Sequence, residues 1–474
     1  MEASLLYERV AARVESLIDR GTLRPGDRLP SVRGMSRRER VSVATVVEAY
    51  RHLESRGRIE ARPQSGHYVR SLRRAEALEP RAPRVATAAA KVRFGNRIRA
   101  LYRAVRDPSI VPLGTAVVSP ELFPADRLNR MLAAIARGAG GSGVAYDPPP
   151  GYPPLRQQIA LRAVEAGCDI GADDLVTTNG AMEAVQLCLM AVTRPGDAIA
   201  VESPIYYGMV QLVEAMRLRA IEIPVNPRTG MDLDVLEEVS KGQRIAACLS
   251  LPSFGNPVGA RMPDDCKERL VRMLARAGVP LIEDDIYGDL YFDGPRPRPA
   301  KAFDRDGLVM LCSSFSKTLA PGYRVGWTAP GRALEAVERL KFVQTVGCPT
   351  LPQMAITEFL RSGGYDHHLR TMRRRLAAQV ATFADAVYDG FPEGTRISRP
   401  AGGFVLWVEL PGGASALHLQ ERALERGISI APGPIFSVRE RFASFIRLNC
   451  GYPWSEPIDR AIRTLGQLVR EMIG

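Results

Sequence analysis

From about residue 110 to residue 474, short apolar runs alternate with amphipathic helical stretches, and this alternation most limits what the chain can fold into. Leu175-Val176-Thr177-Thr178, Ala198-Ile199-Ala200-Val201, Ile245-Ala246-Ala247-Cys248-Leu249, Val279-Pro280-Leu281-Ile282 and Leu308-Val309-Met310-Leu311-Cys312 read as continuous strands. Helical segments such as 182–192 and 266–277 lie between several of them. Strands that lack polar alternation are buried on both faces, so the pattern predicts an α/β fold with a mainly parallel sheet covered by helices. Ligands in such sheets collect at the carboxyl ends of the strands. Chemistry is therefore to be sought at the strand exits.

Those exits carry a consistent set of side chains. After Thr178 comes Asn179-Gly180-Ala181-Met182, a glycine turn opening a helix whose free N–H groups suit a phosphate. After Val201 comes Tyr206, able to stack on a flat heteroaromatic ring. After Leu249 comes Asn256, able to donate to a phenolate oxygen, and after Ile282 come Asp284 and Tyr287. The carboxylate of Asp284 would keep a pyridine nitrogen protonated, and Tyr287 would join Asn256 at the ring oxygen. After Cys312 comes Ser314-Phe315-Ser316-Lys317, with Arg324 seven residues on. Lys317 can form a Schiff base with an aldehyde, while Ser314, Ser316 and Arg324 can hold a phosphate. Pyridoxal 5′-phosphate (PLP) carries both groups. Each element alone has an ordinary explanation: a solvated lysine, an Asn-Pro turn, a surface acidic pair, a helix cap. Their succession at consecutive strand exits points to the cofactor.

The N-terminal quarter has a different character. Residues 1–110 hold 24 Lys+Arg against 12 Asp+Glu, whereas the other 364 residues balance at 40 and 40, so the net charge of +12 is confined to one end. Segregated positive charge suggests a polyanion partner. Leu6, Val10, Val14, Leu17 and Ile18 repeat at helical spacing, and Gly21 and Leu23-Arg24-Pro25-Gly26-Asp27 end that helix. Ser31 can cap a short helix to about Glu39, and Ser42 a third from Val43 to about Glu54, closed by Gly57. Residues 58–62 and 67–70, joined by Pro63-Gln64-Ser65-Gly66, read as a β-hairpin. This layout is that of a winged helix-turn-helix domain, which would enter the major groove by the N-terminal end of the helix starting at Ser42.

Residues 71–106 shift to alanine, arginine and proline without sustained periodicity before residue 98, and read as a linker. The resulting organisation is a winged helix-turn-helix domain over 1–72, a linker over 73–107 and a large domain over 108–474, with a small C-terminal α+β subdomain from roughly 335. Seven scattered cysteines with no Cys-x-x-Cys pair predict neither a zinc site nor a disulfide framework, and no metal is expected. No apolar stretch approaches the ~20 residues of a membrane span, and residues 1–5 lack a signal-peptide pattern. A cytoplasmic protein with no membrane partner is expected.

Leu29-Pro30-Ser31-Val32-Arg33, Val41-Ser42-Val43-Ala44-Thr45-Val46, Ala49-Tyr50-Arg51-His52-Leu53 and Ser65-Gly66-His67-Tyr68-Val69 closely resemble the GntR-type DNA-binding domain. That resemblance implies a double-stranded DNA operator as partner, contacted by Arg33, Ser42, Thr45, Ser65, Gly66 and His67. Arg33 would mainly meet phosphate. Val43 departs from the family, which usually has arginine there; valine cannot make the bidentate guanine contact. Tyr146, Gly180-Ala181, Tyr206, Asn256-Pro257, Asp284-x-x-Tyr287, Ser314-x-Ser316-Lys317, Arg324 and Arg447 together resemble fold-type I PLP-dependent aminotransferases.

This second resemblance makes Lys317, Asp284 and Tyr206 the catalytic set. Gly180, Ala181, Met182, Asn256, Tyr287, Ser314, Ser316 and Arg324 would complete the cofactor site. Arg447, with Asn256, would bind the substrate, the arginine clamping its α-carboxylate. Tyr146 would reach the phosphate of a neighbouring subunit, which implies a homodimer with shared sites. The combination resembles the MocR subgroup of GntR-family regulators. The expected function is a transcriptional regulator whose aminotransferase-like domain binds PLP through Lys317 and senses PLP, an amino acid or another amine. An active PLP-dependent aminotransferase acting on an amino acid is the alternative.

Overall fold

The computed structural model describes residues 6–19, 22–23, 26–55, 58–62, 65–69, 78–82, 88–91 and 107–474. Contacts divide the chain into two compact units, Met1–Ala77 and Leu78–Gly474.

In the first unit, helices span Leu6–Asp19, Val32–Glu39 and Val43–Ser55. Their boundaries follow from capping. The Ser31 hydroxyl accepts from Gly34 N at 3.1 Å, and Ser42 Oγ accepts from Thr45 N at 3.0 Å. Between them Arg40 adopts the left-handed conformation (φ 54°) and returns its N–H to Ser36 O, ending the second helix. Strands Ile59–Arg62 and Gly66–Val69 pair antiparallel, Ile59 opposite Val69. Val10, Val14, Leu29, Met35, Val46, Tyr50, Leu53, Ile59 and Val69 form one core. The turns expected at Gly21, Arg24-Pro25, Gly57 and Pro63-Gln64 lie outside the described residues.

The second unit is built on a sheet in the order Ala90–Lys91, Arg219–Asn226, Ala198–Ser203, Ala247–Ser250, Leu281–Asp284, Val309–Ser314, Gly326–Ala329 and Val176–Thr178. The strands from Arg219–Asn226 to Val309–Ser314 run parallel, whereas Gly326–Ala329 is antiparallel to both neighbours. Asp284 pairs with Cys312 and Glu283 with both Ser250 and Leu311, so the strand ends fall at one edge. Two strands escaped the sequence pattern: Arg219–Asn226, where charged and apolar residues mix, and Gly326–Ala329, which opens on glycine.

The small subdomain is a four-stranded antiparallel sheet of Arg396–Ile397, Val405–Glu409, Phe445–Asn449 and Ala431–Pro432. The helices Gly364–Gly390, Ala416–Leu424 and Glu456–Ile473 bury Phe383, Val387, Leu419, Ile462 and Leu465 against it. This subdomain is not contiguous in sequence. Val111–Pro112 pairs in parallel with Ile428–Ser429, so the first residues after the linker region belong to it as well.

The described parts of the expected linker are docked on the second unit. Ile397 N donates to Leu78 O (2.9 Å), Arg81 N to Glu409 Oε2 (2.9 Å), and Glu79 pairs with Arg228 at 2.7 Å. Ala90–Lys91 then joins the sheet edge beside Arg219 and Ala220. A segment held by its main chain needs no helical periodicity, which is why composition alone suggested a solvated linker over 73–107 where part of the stretch forms a strap.

Candidate cofactor and DNA-binding sites

Lys317 leaves the end of the Val309–Ser314 strand with its amine reaching across to Ala116 O at 2.8 Å. Burial first, then the positive charges of Arg447 and Arg324, hold this amine down to about 8, against the pull of Asp284. Asp284, 4% exposed, ends the adjacent strand and accepts from Ile286 N at 3.1 Å. Burial pushes its carboxyl up to about 7; the bond from Ile286 N and the charge of Lys317 oppose the rise, and Asp285 and Glu202 add to it. A carboxyl in this state gains most from a cationic ring nitrogen placed against it.

Around this pair the expected residues converge. Tyr287 is buried edge-on to Phe404 (5.7 Å) and lies against Asn256. Both polar ends of the Asn256 amide, though buried, lack a well-formed hydrogen bond among the described residues. Tyr206 packs on Tyr207 with ring centres 4.5 Å apart, and both tyrosines, with Tyr287, face the Arg447 guanidinium. Gly208 matters here because a methyl at that position would come within 2.4 Å of the Tyr206 ring.

Ala181 and Met182 open the helix Ala181–Val192 after Gly180, whose φ of 97° favours glycine. Arg324 lies over that turn, donating to Asn179 O (2.7 Å) and Ser316 Oγ (3.4 Å). Ser314 Oγ accepts from Ser316 N at 3.2 Å, which fixes both hydroxyls at the same corner. Helix N–H groups, two hydroxyls and a guanidinium at one corner could hold a phosphate. Amine, carboxyl, ring-oxygen donors and this corner together fit PLP. The unpartnered Asn256 amide is the observation that most directly calls for a ligand.

Arg447 is fully buried in the Phe445–Asn449 strand. Its Nη2 donates to Gly114 O at 2.9 Å, but Nε and Nη1 have no partner among the described residues. Two free guanidinium donors beside the lysine are suited to a carboxylate. The segment joining them was not visible in the sequence. Gly114 and Ala116 offer only main-chain carbonyls, to Arg447 and Lys317 respectively, and a carbonyl has no residue signature.

Tyr146 stands apart from this cluster. It is 85% exposed, two residues from Val144, which is 89% exposed.

In the first unit Arg33 is exposed on the Val32–Glu39 helix, and Ser42 and Val43 are exposed at the start of the next. Ser42 Oγ and Thr45 Oγ1 lie 2.8 Å apart, so both hydroxyls also serve the helix cap. In the wing, Ser65 Oγ meets Tyr68 OH at 2.6 Å, and His67 packs edge-on against Tyr50 (4.8 Å). Gly66 has φ 108°, and a methyl there would lie 3.3 Å from Arg28 Nε. Arg28, exposed and bridged to Tyr68 across the wing, was not singled out by sequence because it sits before the helix-turn-helix, within the turn region.

Comparison with known proteins matches this division. Residues 6–69 match the family of bacterial regulatory proteins, gntR family, and residues 122–465 match aminotransferase class I and II. The chain is 39% identical to the uncharacterized HTH-type transcriptional regulator YdcR of Escherichia coli (strain K12), over 98% of this chain and 99% of that protein. It is 36% identical to YjiR, another uncharacterized HTH-type regulator of that strain, over 98% of each. Among solved structures, the α-aminoadipate aminotransferase LysN of Thermus thermophilus, complexed with N-(5′-phosphopyridoxyl)-L-leucine, is 30% identical with a TM-score of 0.74. It covers 80% of this chain and 95% of its own. A winged DNA-binding domain joined to a PLP-binding aminotransferase fold thus places the chain in the GntR family of transcriptional regulators, in the group with an aminotransferase class I and II domain, the MocR-type architecture.

Proposed function

We propose that the chain is a DNA-binding transcriptional regulator that holds PLP at Lys317 and responds to PLP or to an amino compound meeting it there. The observation that carries this reading is the Lys317–Asp284–Arg447 cluster, with its free guanidinium donors, in a chain that begins with a DNA-binding fold.

When bound, PLP supplies an aldehyde for the lysine and a ring that accepts electrons from the α-carbon of an amino compound. Lys317, with its amine at about 8, has a neutral fraction near physiological pH and can act as nucleophile and then as the base at that carbon. Asp284 holds a proton at the ring nitrogen, and Tyr206 covers the ring. Asn256 and Tyr287 fix its oxygen, and Gly180, Ala181, Met182, Ser314, Ser316 and Arg324 anchor the phosphate. Arg447 orients the incoming carboxylate.

The response follows from what these groups release. The Gly114–Ala116 segment accepts from both Lys317 and Arg447, and Val111–Pro112 just before it pairs with the small subdomain. A ligand that takes either donor changes the contacts of that segment. A ligand shifts an equilibrium only by binding two arrangements unequally; in this reading the two are the segment with and without its bonds from Lys317 and Arg447.

On the DNA side Arg33, Ser42, Thr45, Ser65, Gly66 and His67, together with Arg28, form the contact surface. The exposed apolar patch around Tyr146 fits a second copy of the chain, giving a homodimer in which Tyr146 reaches the partner's cofactor. A protein of this kind works where DNA is, in the cytoplasm.

The intact Arg447 donors also favour a second reading, a working aminotransferase. Selection of DNA fragments by the full chain, with and without PLP, combined with multiple-turnover assays on amino and keto acids, decides between them. Specific DNA binding altered by PLP or an amine supports the regulator. Sustained turnover without specific DNA binding overturns it.

A further inference from the structure

Behind the Lys317 loop, on the face of the sheet opposite Asp284, the second unit has an open cavity of about 350 Å³. It lies between the helix Pro153–Glu165, the loop after Asp284 and the first turns of the helix Gly364–Gly390. The volume is within the range of sites for small organic ligands.

One wall is a ladder of alternating charge. Arg296 donates to Asp285 Oδ2 (2.5 Å) and Asp289 Oδ1 (2.7 Å). The Tyr365 hydroxyl then bridges Asp289 (3.2 Å) and Thr318 (2.8 Å). The ladder therefore begins on the residue next to Asp284 and ends on the residue next to Lys317. Its two ends are chemically unequal. Asp285 is 3% exposed, and its Oδ1 has no partner among the described residues. At the rim, Arg370 and Arg373 stand one turn apart on the same helix face, and neither has a carboxylate partner among the described residues. Arg373 instead lies over the Tyr291 ring at 4.1 Å. Trp327, Phe315 and Leu311 line the space between.

Two arginines without carboxylate partners among the described residues, at the rim of a space walled by aromatic and aliphatic side chains, suit an anionic ligand with an apolar body. We propose that this cavity is a second ligand site, distinct from the cofactor site. It would take a small organic compound with an anionic head for Arg370 and Arg373 and a flat apolar body for the space lined by Trp327, Phe315 and Leu311. Its occupant touches the wall that ties the neighbours of Asp284 and Lys317 together, so the site is placed to modulate the cofactor site without reacting with it.

The test uses full-length, PLP-loaded protein carrying 5-fluorotryptophan, read by fluorine NMR. The three tryptophans report separate places: Trp327 in the cavity wall, Trp407 paired with Arg447, and Trp454 packed on Phe383. The probes are 4-hydroxyphenylacetate and phenyl phosphate, which lack an amine and so cannot condense with PLP. The neutral control is 4-hydroxyphenethyl alcohol. Saturable movement of the Trp327 resonance by either anion is expected, weakened roughly tenfold or more in the double variant Arg370→Gln/Arg373→Gln and for the neutral control. Both substitutions are at the rim, and an unchanged Trp454 resonance verifies that the variant is folded. Movement of Trp407 alone places the anions at Arg447 and overturns the proposal. So does Trp327 movement of equal affinity in wild type and double variant. Arg447→Lys separates this result from the main reading, since it affects the Trp407 response and leaves that of Trp327 intact.

Discussion

The substitution Asp284→Asn should stabilise the protein when PLP has been removed. Asp284 is almost fully buried, and its carboxyl lies at about 7 against an ordinary 3.8. Below pH 3.8 the group is protonated in both folded and unfolded chains and costs nothing. Between 3.8 and about 7 the folded chain keeps the proton that the unfolded chain has lost, so stability falls as pH rises. Above about 7 the cost is complete, and the interval corresponds to about 4 kcal/mol at about 1.4 kcal/mol per pH unit. Asparagine carries no such cost, and its carbonyl oxygen can still accept from Ile286 N, so the local turn survives.

The expected gain is therefore up to about 4 kcal/mol at pH 8 and only about 1 kcal/mol at pH 4.5. Urea unfolding of the PLP-stripped chain, followed by tryptophan fluorescence, measures it, since Trp327, Trp407 and Trp454 all lie in the second unit. With PLP saturating, the order should invert, because the wild-type carboxylate then has a cationic partner. A PLP-free Asn variant no more stable than wild type at pH 8, or one with the same gain at both pH values, would refute the reasoning.

Gly180→Ala should weaken PLP binding roughly tenfold, because the added methyl would sit 2.3 Å from Arg324 Nη2 at a φ of 97°; equilibrium dialysis measures this, and an unchanged affinity removes Arg324 from the proposed phosphate site. Arg33→Ala should weaken DNA binding across sequences and lower the slope of log K against log salt by about one, as read from binding isotherms at several salt concentrations. Unchanged strength and slope would remove Arg33 from the interface. Arg447→Lys should reduce amino-acid affinity by roughly 30-fold or more through loss of the paired donors while PLP affinity is retained, both followed in the visible absorbance of the bound cofactor. An equal loss of PLP affinity would mean that Arg447 supports the pocket rather than the substrate.

The side chains of the proposed cofactor cluster were legible because each proposed role suits only a few residue types, and most of them follow an apolar strand within a few residues. The structure brings Lys317, Asp284, Tyr206, Asn256, Tyr287, Gly180, Ser314, Ser316 and Arg324 to one strand-end edge, and Arg447 faces them from the small subdomain. The winged unit was legible because Ser31 and Ser42 mark helix starts within a few residues. What escaped notice acts through the main chain or through space. The carbonyls of Gly114 and Ala116 have no signature. The strand Gly326–Ala329 opens on a residue that usually breaks strands, and Arg219–Asn226 lacks a clean apolar run. Tyr365 lies 81 residues from Asp284 in sequence, so only the fold reveals the ladder that it completes.

The docked strap sets a length. From Val69, the last described residue of the winged unit, to Leu78 the chain takes nine residue steps, at most about 30 Å. A chain free as far as Asp107 would take 38 steps and reach about 130 Å. In the proposed homodimer, a connection of this length would limit how far apart two DNA half-sites can lie. Glycine-serine residues inserted between Arg70 and Ala77 should broaden the half-site spacings recovered in a DNA selection. The same insertion between Val92 and Arg106, behind the strap, should leave them unchanged.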